Sequence, residues 1–228
     1  MNISIALLEY SLAPAYAYPT QLAQAIDGMQ TLLDEGYRFS DIILGGDSAG
    51  GHLTLSLLSH LHHPRPSSGN SFSVETPTIV SAADTQQLAG AFLVSPLPSL
   101  DVEDKRVRLY SIRCSVDMLS SRVVREHGKC LAECVDGELH AELRAGMGWS
   151  MALDMQGEGA AEGWWGGVGR VVHRVFLTFG QEEVFRDHGV QFAELLRKVG
   201  GRGTGKGAGI RKAMLAAANG GPGDVGVD

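Results

Sequence analysis

Cysteine is scarce, with three in 228 residues, too few for a disulfide framework. Nothing therefore points to secretion, and a cytoplasmic location is the expectation. Long apolar runs are also missing. None reaches the roughly 18 residues a membrane span needs, and the N-terminus lacks a basic segment leading into an apolar stretch, so neither a span nor a signal peptide is expected. Basic charge is in short supply, with 19 Lys and Arg against 26 Asp and Glu and a formal charge of −7. With no basic stripe to offset that surplus, nucleic acid is excluded as the main partner. What is present suits a packed domain. Hydrophobic residues make up 44% and charged residues 20%, enough for a core. The length fits one ordinary domain or a large part of a bigger one. The 30 glycines are about 13% of the chain, nearly twice the usual share, and they cluster in its second half.

The first hundred residues show clear periodicity. Ile3 to Tyr10 is a run of strand formers that stops at Ser11-Leu12-Ala13-Pro14, where proline bars continuation. After Pro19, with Thr20 as cap, Leu22, Ile26, Met29 and Leu33 recur at helical spacing until Gly36 closes the helix. Asp41 to Gly46 forms a second apolar run, and Leu53, Leu57 and Leu61 then mark one helix stripe. Strand, helix, strand, helix in that order implies parallel strands with helical crossovers, an α/β fold with a mostly parallel sheet flanked by helices. Residues 64–86, rich in Pro, Ser, Thr and Gly, predict an exposed loop, and Leu88 to Val94 a third strand ended by Ser95-Pro96. From Asp101 to Gly169 the pattern weakens into a helix-like stretch around Met118 to Val124 and a Gly- and Trp-containing segment, the candidate for a cap over the sheet. Val171 to Phe179 is the fourth strand, and Phe192, Leu195, Leu196 and Val199 give the following helix its apolar face. Beyond Gly200, glycine-rich low complexity predicts a mostly disordered tail over 201–228, with a short helix at Arg211 to Ala218.

The chemistry centres on Gly46-Asp47-Ser48-Ala49-Gly50-Gly51. It follows a predicted strand and opens a predicted helix, the setting in which G-x-S-x-G makes a nucleophile elbow. Ser48 would stand on a strained turn, with Gly46, Asp47 and Gly50 shaping the bend and small neighbours avoiding clashes. The helix N-terminus favours a developing oxyanion, and the Ala49 amide would be one donor to it. The plain alternative is a tight glycine turn with an ordinary capping serine.

Tyr10-Ser11-Leu12-Ala13-Pro14, then Tyr18-Pro19, then the elbow resemble the α/β-hydrolase family related to hormone-sensitive lipase, in which a Tyr-Arg-Leu-Ala-Pro segment precedes a Gly-Asp-Ser-Ala-Gly-Gly elbow. Ser11 stands where that family usually has arginine. The resemblance resumes at Leu88 to Pro96 and at Gly180 to Asp187, covers most of residues 1–200, and is strongest to fungal members similar to steryl acetyl hydrolases. It implies a partial hydrolase domain over 1–200, with 101–169 as a cap or irregular region. It also implies that Glu183 is the acidic member of a Ser, acid, His triad, placed after the fourth strand at the carboxyl edge where ligands bind. Glu182 and Asp187 are the alternatives for that acid, and all three also suit a helix's first turn as ordinary dipole partners.

The family's base is a histidine well after the acid. Here only His188 follows Glu183, five residues on and within the adjoining helix, and His52 would point along its helix away from Ser48. The His-Gly-Gly-Gly loop that supplies further oxyanion donors in the family lies upstream of Tyr10, where nine residues leave no room. Losing one such donor costs on the order of 2.7–4 kcal/mol in the barrier. The resemblance also implies that the strand bearing that loop lies between the Tyr-x-Leu-Ala-Pro strand and the elbow strand, so its absence would leave two edges unpaired. The expectation is an incomplete hydrolase domain, weakly active or inactive, whose substrate class is a small or medium carboxylic ester. A ligand-binding protein on a hydrolase scaffold, or a fragment without function, is the alternative. No cofactor is expected. His127, Cys130 and Cys134 share a helical face but match no familiar zinc spacing, so no metal is expected either. Gly200 to Lys206 only approximates a phosphate loop, with Gly207 where Ser or Thr is required. Met147, Met151 and Met155, beside Trp149, read as core packing before an acyl pocket.

Overall fold

The computed structural model describes residues 3–65, 87–99, 117–120, 122–123, 126, 141–142 and 144–200, and the backbone of 213–217. Helix α1 spans Thr20–Asp34. Pro19, not Thr20, occupies its cap position, and Ala23 N–H donates to Pro19 O at 2.9 Å. The expected cap thus moves one residue toward the N-terminus. At the other end Gly36 takes φ +93°. Its N–H donates to Leu33 O (2.9 Å) and that of Tyr37 to Leu32 O (3.1 Å). That pair of bonds is the Schellman closure that only a left-handed residue permits.

Strand β1 (Ile43–Asp47), helix α2 (Ala49–His62), strand β2 (Gly90–Val94), the short helix α3 (Ala160–Trp165), strand β3 (Val175–Phe179), helix α4 (Arg186–Gly200) and strand β4 (Ala213–Ala217) follow. The sheet is parallel throughout, in the order β1-β2-β3-β4. Register explains how it is covered. Gly46 pairs with Leu93 and Leu93 with Leu177, and Phe179 lies on the same face as Leu177. A Cβ on Gly46 would strike α2 and one on Gly189 of α4 would strike the Phe179 ring, so both helices pack on that face. Leu93, Leu177 and Phe179 join Leu53, Leu57, Leu58, Phe192 and Leu196 in the core. On the other face the rings of Phe92 and Phe176 stack at 5.2 Å and 14°, and Phe92 remains 43% exposed.

Two expected elements differ. Ile3 to Tyr10 is not a strand: it pairs with no described strand, and Ile3, Ile5 and Leu7 lie at 80–91% exposure. An extended run becomes a strand only when a neighbour takes its N–H and C=O groups. The segment is instead fastened to α1 through Ser11, whose N–H donates to Gln24 Oε1 (2.9 Å), whose Oγ accepts from Gln24 Nε2 (3.0 Å), and whose carbonyl accepts from Gln21 Nε2 (3.0 Å). The second difference is in the tail, where the expected helix at Arg211 to Ala218 is replaced by β4. Ala213 to Ala217 pair in register with Val175 to Phe179. Sheet pairing there overrides the helix preference of Ala, Met and Leu. The remaining tail, residues 66–86 of the expected loop, and His127, Cys130 and Cys134 lie outside the described residues.

Arg65, expected on an exposed loop, is buried. Its Nε pairs with Glu142 Oε1 at 2.7 Å, Tyr18 Oη donates to Glu142 Oε2 at 3.0 Å, and the guanidinium lies 5.5 Å over the Tyr18 ring. Burial first, and the Glu142 carboxylate next, push the Tyr18 phenol well above its usual range. The described part of the 101–169 stretch packs on the helical layer. Trp164 Nε1 donates to Ser59 Oγ (2.7 Å), which donates to Gly148 O (2.8 Å), and Trp165 meets Phe192 edge-on at 5.2 Å. His62 Nε2 donates to Gly166 O at 3.0 Å.

Arg65→Ala takes the guanidinium away from the buried Glu142 carboxylate and is expected to cost about 3–5 kcal/mol by urea unfolding. Arg65→Met combined with Glu142→Leu should lie closer to the parent, because no charge is then left buried. A pH effect follows from His62. Burial, then the neighbouring His63, lower its pKa from 6.5 to about 4, so between those values the unfolded chain binds the proton and the folded chain does not. Stability should therefore fall as pH drops from about 6.5 toward 4. Thermal melts across that window should show a shallower decline in His62→Gln, which keeps an N–H donor for Gly166.

Candidate active site

The carboxyl ends of β1, β2 and β3 finish in line, and each is followed by a residue that matters to the site. After β1 comes Ser48, exposed, at φ 53° and ψ −113°. A non-glycine residue there is strained, which marks a sharp strand-to-helix bend. The bend is held by Ser48 N–H donating to Val94 O (2.9 Å) and His52 N–H donating to Ser48 O (3.0 Å). The steric demand is selective. A Cβ on Gly46 would come within 2.2 Å of the Gly50 backbone, and one on Gly51 within 2.9 Å of Pro96 Cβ. Gly50 has open space around its Cβ position, so the expected need for a small residue there is corrected and falls on Gly46 and Gly51. Asp47, the last residue of β1, and Ala49, the first of α2, are both exposed. The Ala49 N–H belongs to the first turn, whose donors have no intrahelical acceptor.

Glu183 lies between β3 and α4, half-buried, with Oε1 accepting the Ser95 hydroxyl at 2.8 Å. Oε2 is buried and has no hydrogen-bond partner among the described residues. Glu182, the first alternative, is exposed. Asp187, the second, pairs with Arg186 Nη1 at 3.1 Å. Ser48 and Glu183 stand at the same edge, separated by β2. Two strand spacings put them on the order of 10 Å apart, and Ser95 connects them. Its neighbour Val94 holds Ser48, its own N–H donates to Thr178 O at 2.7 Å, and its side chain holds Glu183. In the sequence, the only signal at Ser95 is the Ser-Pro that ends the strand. Asp117, whose Oδ2 accepts Val184 N–H at 2.7 Å, gave no signal at all.

The histidines sit where ordinary packing puts them. His52 Nδ1 donates to Leu97 O at 3.1 Å, and burial lowers its pKa despite that bond. His188 is fully enclosed within α4. No group of three or more metal-ligating side chains occurs among the described residues, and no described helix is long and apolar enough to cross a membrane. A cavity of 840 Å³, lined in part by Ser99, Leu153, Met155, Glu162 and Lys198, includes neither Ser48 nor Glu183. Met155 reaches it and, like Met151, is part of the core, whereas Met147 is exposed. A direct test of the bend compares two alanines. Gly46→Ala should destabilise by about 3 kcal/mol or more, since backbone must shift. Gly50→Ala should be neutral or stabilising by up to about 1 kcal/mol through helix propensity. Urea unfolding of the two variants separates them.

An esterase of Acinetobacter venetianus is 42% identical over 50 residues, covering 22% of this chain and 16% of that protein. The carboxylesterase/phospholipase LipF of Mycobacterium tuberculosis is 39% identical over 57 residues, covering 25% of this chain and 15% of that protein. Among solved structures, the esterase EstE5 soaked with ethyl alcohol superposes with a TM-score of 0.61 at 17% identity, over 92% of this chain and 54% of that one. An esterase from the bacterial hormone-sensitive lipase family gives 0.58 at 19% identity, over 92% and 53%. The chain thus spans about half the length of these solved esterases, and their likeness is one of fold. The alpha/beta hydrolase fold family model matches residues 1–206, and with a parallel sheet flanked by helices and a strained Ser48 between β1 and α2, the chain belongs to that hydrolase family.

Proposed function

We propose that the chain carries the nucleophile and acid of a serine carboxylic ester hydrolase. Ser48 Oγ attacks the ester carbonyl, its proton passes to an imidazole base, and the alcohol leaves as that base returns the proton. The acyl group on Ser48 is then released by water. Glu183 Oε2 accepts the N–H of that base and stabilises its charged form. The Ala49 amide, at the positive end of α2, faces the developing oxyanion. The observation that carries this reading is the strained φ of 53° at Ser48, at the sheet edge it shares with Glu183. Strain of about 1–3 kcal/mol at an exposed polar residue is the mark of a functional bend rather than of an ordinary cap.

The substrate class is a small or medium carboxylic ester. Low turnover is expected of this chain, because His52 is bound to Leu97 O and His188 is enclosed in α4, which leaves the base unassigned among the described residues. Hydrolysis of p-nitrophenyl acetate, compared between the parent and Ser48→Ala, tests the assignment. A slow rate that disappears in Ser48→Ala, and that added imidazole raises more in the parent than in the variant, is the expected result. Equal rates in parent and variant, with and without imidazole, would remove Ser48 as nucleophile. Saturable binding of an apolar ester with no Ser48-dependent turnover would replace the hydrolase with a ligand-binding protein on the same scaffold.

A further inference from the structure

Glu183 is constrained from three directions. The Ser95 hydroxyl donates to Oε1 at 2.8 Å. Gly180 lies so close that a Cβ there would stand 3.0 Å from Oε1 and 3.2 Å from Cδ. The loop backbone just beyond is tied to Asp117, which accepts Val184 N–H on Oδ2 (2.7 Å) and Leu119 N–H on Oδ1 (3.0 Å). Only the first of these is a hydrogen bond to the carboxylate. With Oε1 engaged and Oε2 buried without a partner among the described residues, the carboxylate has one acceptor to offer.

Ser95 is itself unusual. It takes φ +42°, and besides Ser48 it is the only non-glycine residue with positive φ among the described residues. Both stand at the carboxyl ends of neighbouring strands. Positive φ turns the Ser95 side chain out of the alternation that β2 would otherwise impose on it. The turn is held by its N–H bond to Thr178 O at 2.7 Å. A strained conformation persists only where surrounding bonds over-determine it, and such residues cluster at functional sites.

We infer that Ser95 is the positioning residue for Glu183, its hydroxyl fixing the carboxylate so that Oε2 is the oxygen presented to the base. This rests on the role of Glu183 proposed above, and it adds a residue that acts through Glu183 without touching the substrate. Without the hydroxyl, the carboxylate is free to rotate, and the base loses its alignment while ester binding is untouched.

Ser95→Gly is the informative variant, because glycine accepts φ +42° without strain. A Ser95 whose hydroxyl plays no part predicts a variant as stable as the parent or more so, with the same kcat. Two measurements on the full chain decide the matter. In a double-mutant cycle of Ser95→Gly and Glu183→Ala, read by urea unfolding, the expected coupling is about tenfold in the unfolding equilibrium constant, as for a hydrogen bond to a charged group. Coupling below about twofold would overturn the inference whatever the activity. In Ser48-dependent hydrolysis of p-nitrophenyl acetate, Ser95→Gly should lower kcat about tenfold and leave KM within about twofold. Unchanged kcat despite coupling would reduce Ser95 to a stabilising residue and so overturn the inference as well. A parent chain with no Ser48-dependent turnover would sink the hydrolase reading alone, and the cycle would then decide by itself whether Ser95 orients Glu183.

Discussion

Parallel pairing of β1, β2 and β3 is the constraint on which the rest of the structure depends. Because the three strands run the same way in fixed register, from Ile43↔Gly90 and Ala91↔Val175 onward, their carboxyl ends finish together. Ser48, Ser95 and the loop bearing Glu183 therefore emerge side by side although they are separated by up to 135 residues of chain, 183 less 48. Their neighbours then complete the link by direct bonds, Ser48 N–H to Val94 O and Ser95 Oγ to Glu183 Oε1. A one-residue slip between β1 and β2 would move Leu44 and Gly46 to the opposite face.

The face that carries α2 and α4 is built to a different standard from its opposite. On the helical side, apolar packing is reinforced by buried polar fastenings, such as Ser59 between Trp164 and Gly148, and the Arg65, Glu142 and Tyr18 group. A buried ion pair of this kind contributes little net stability over an apolar replacement, but it strongly penalises any arrangement that separates the partners. It joins the end of α2 to the chain just before α1 and to residue 142, which are far apart in sequence. The other face holds the stacked Phe92 and Phe176 with much of Phe92 in solvent. Parallel sheets are ordinarily covered on both faces.

Much of this was legible in the residues. The periodicity of Leu22, Ile26 and Met29, the glycine that ends α1, and the stripe of Leu53, Leu57 and Leu61 all concern contacts within one helix, where local spacing suffices. The elbow was legible for the same reason: strand, Gly-x-Ser-x-Gly and helix are consecutive. What was misread depended on partners distant in sequence. Ile3 to Tyr10 has the composition of a strand and pairs with no described one, while Ala213 to Ala217 has the composition of a helix and becomes a strand because β3 lies beside it. Arg65 sits beside a Pro- and Ser-rich stretch that predicts exposure, and its burial follows from Glu142 and Tyr18, both distant in sequence.

The order of residues alone thus determined the kinds of element, the bend at Ser48 and the family's motifs, because each arises from spacing and backbone sterics within a few residues. Tertiary structure decided which carboxylate oxygen is occupied, that Gly51 has no room for a side chain beside Pro96, and that Ser95 stands between Ser48 and Glu183. Those facts depend on the distance between strands and on side chains brought together across the sheet, and no local pattern of residues encodes either.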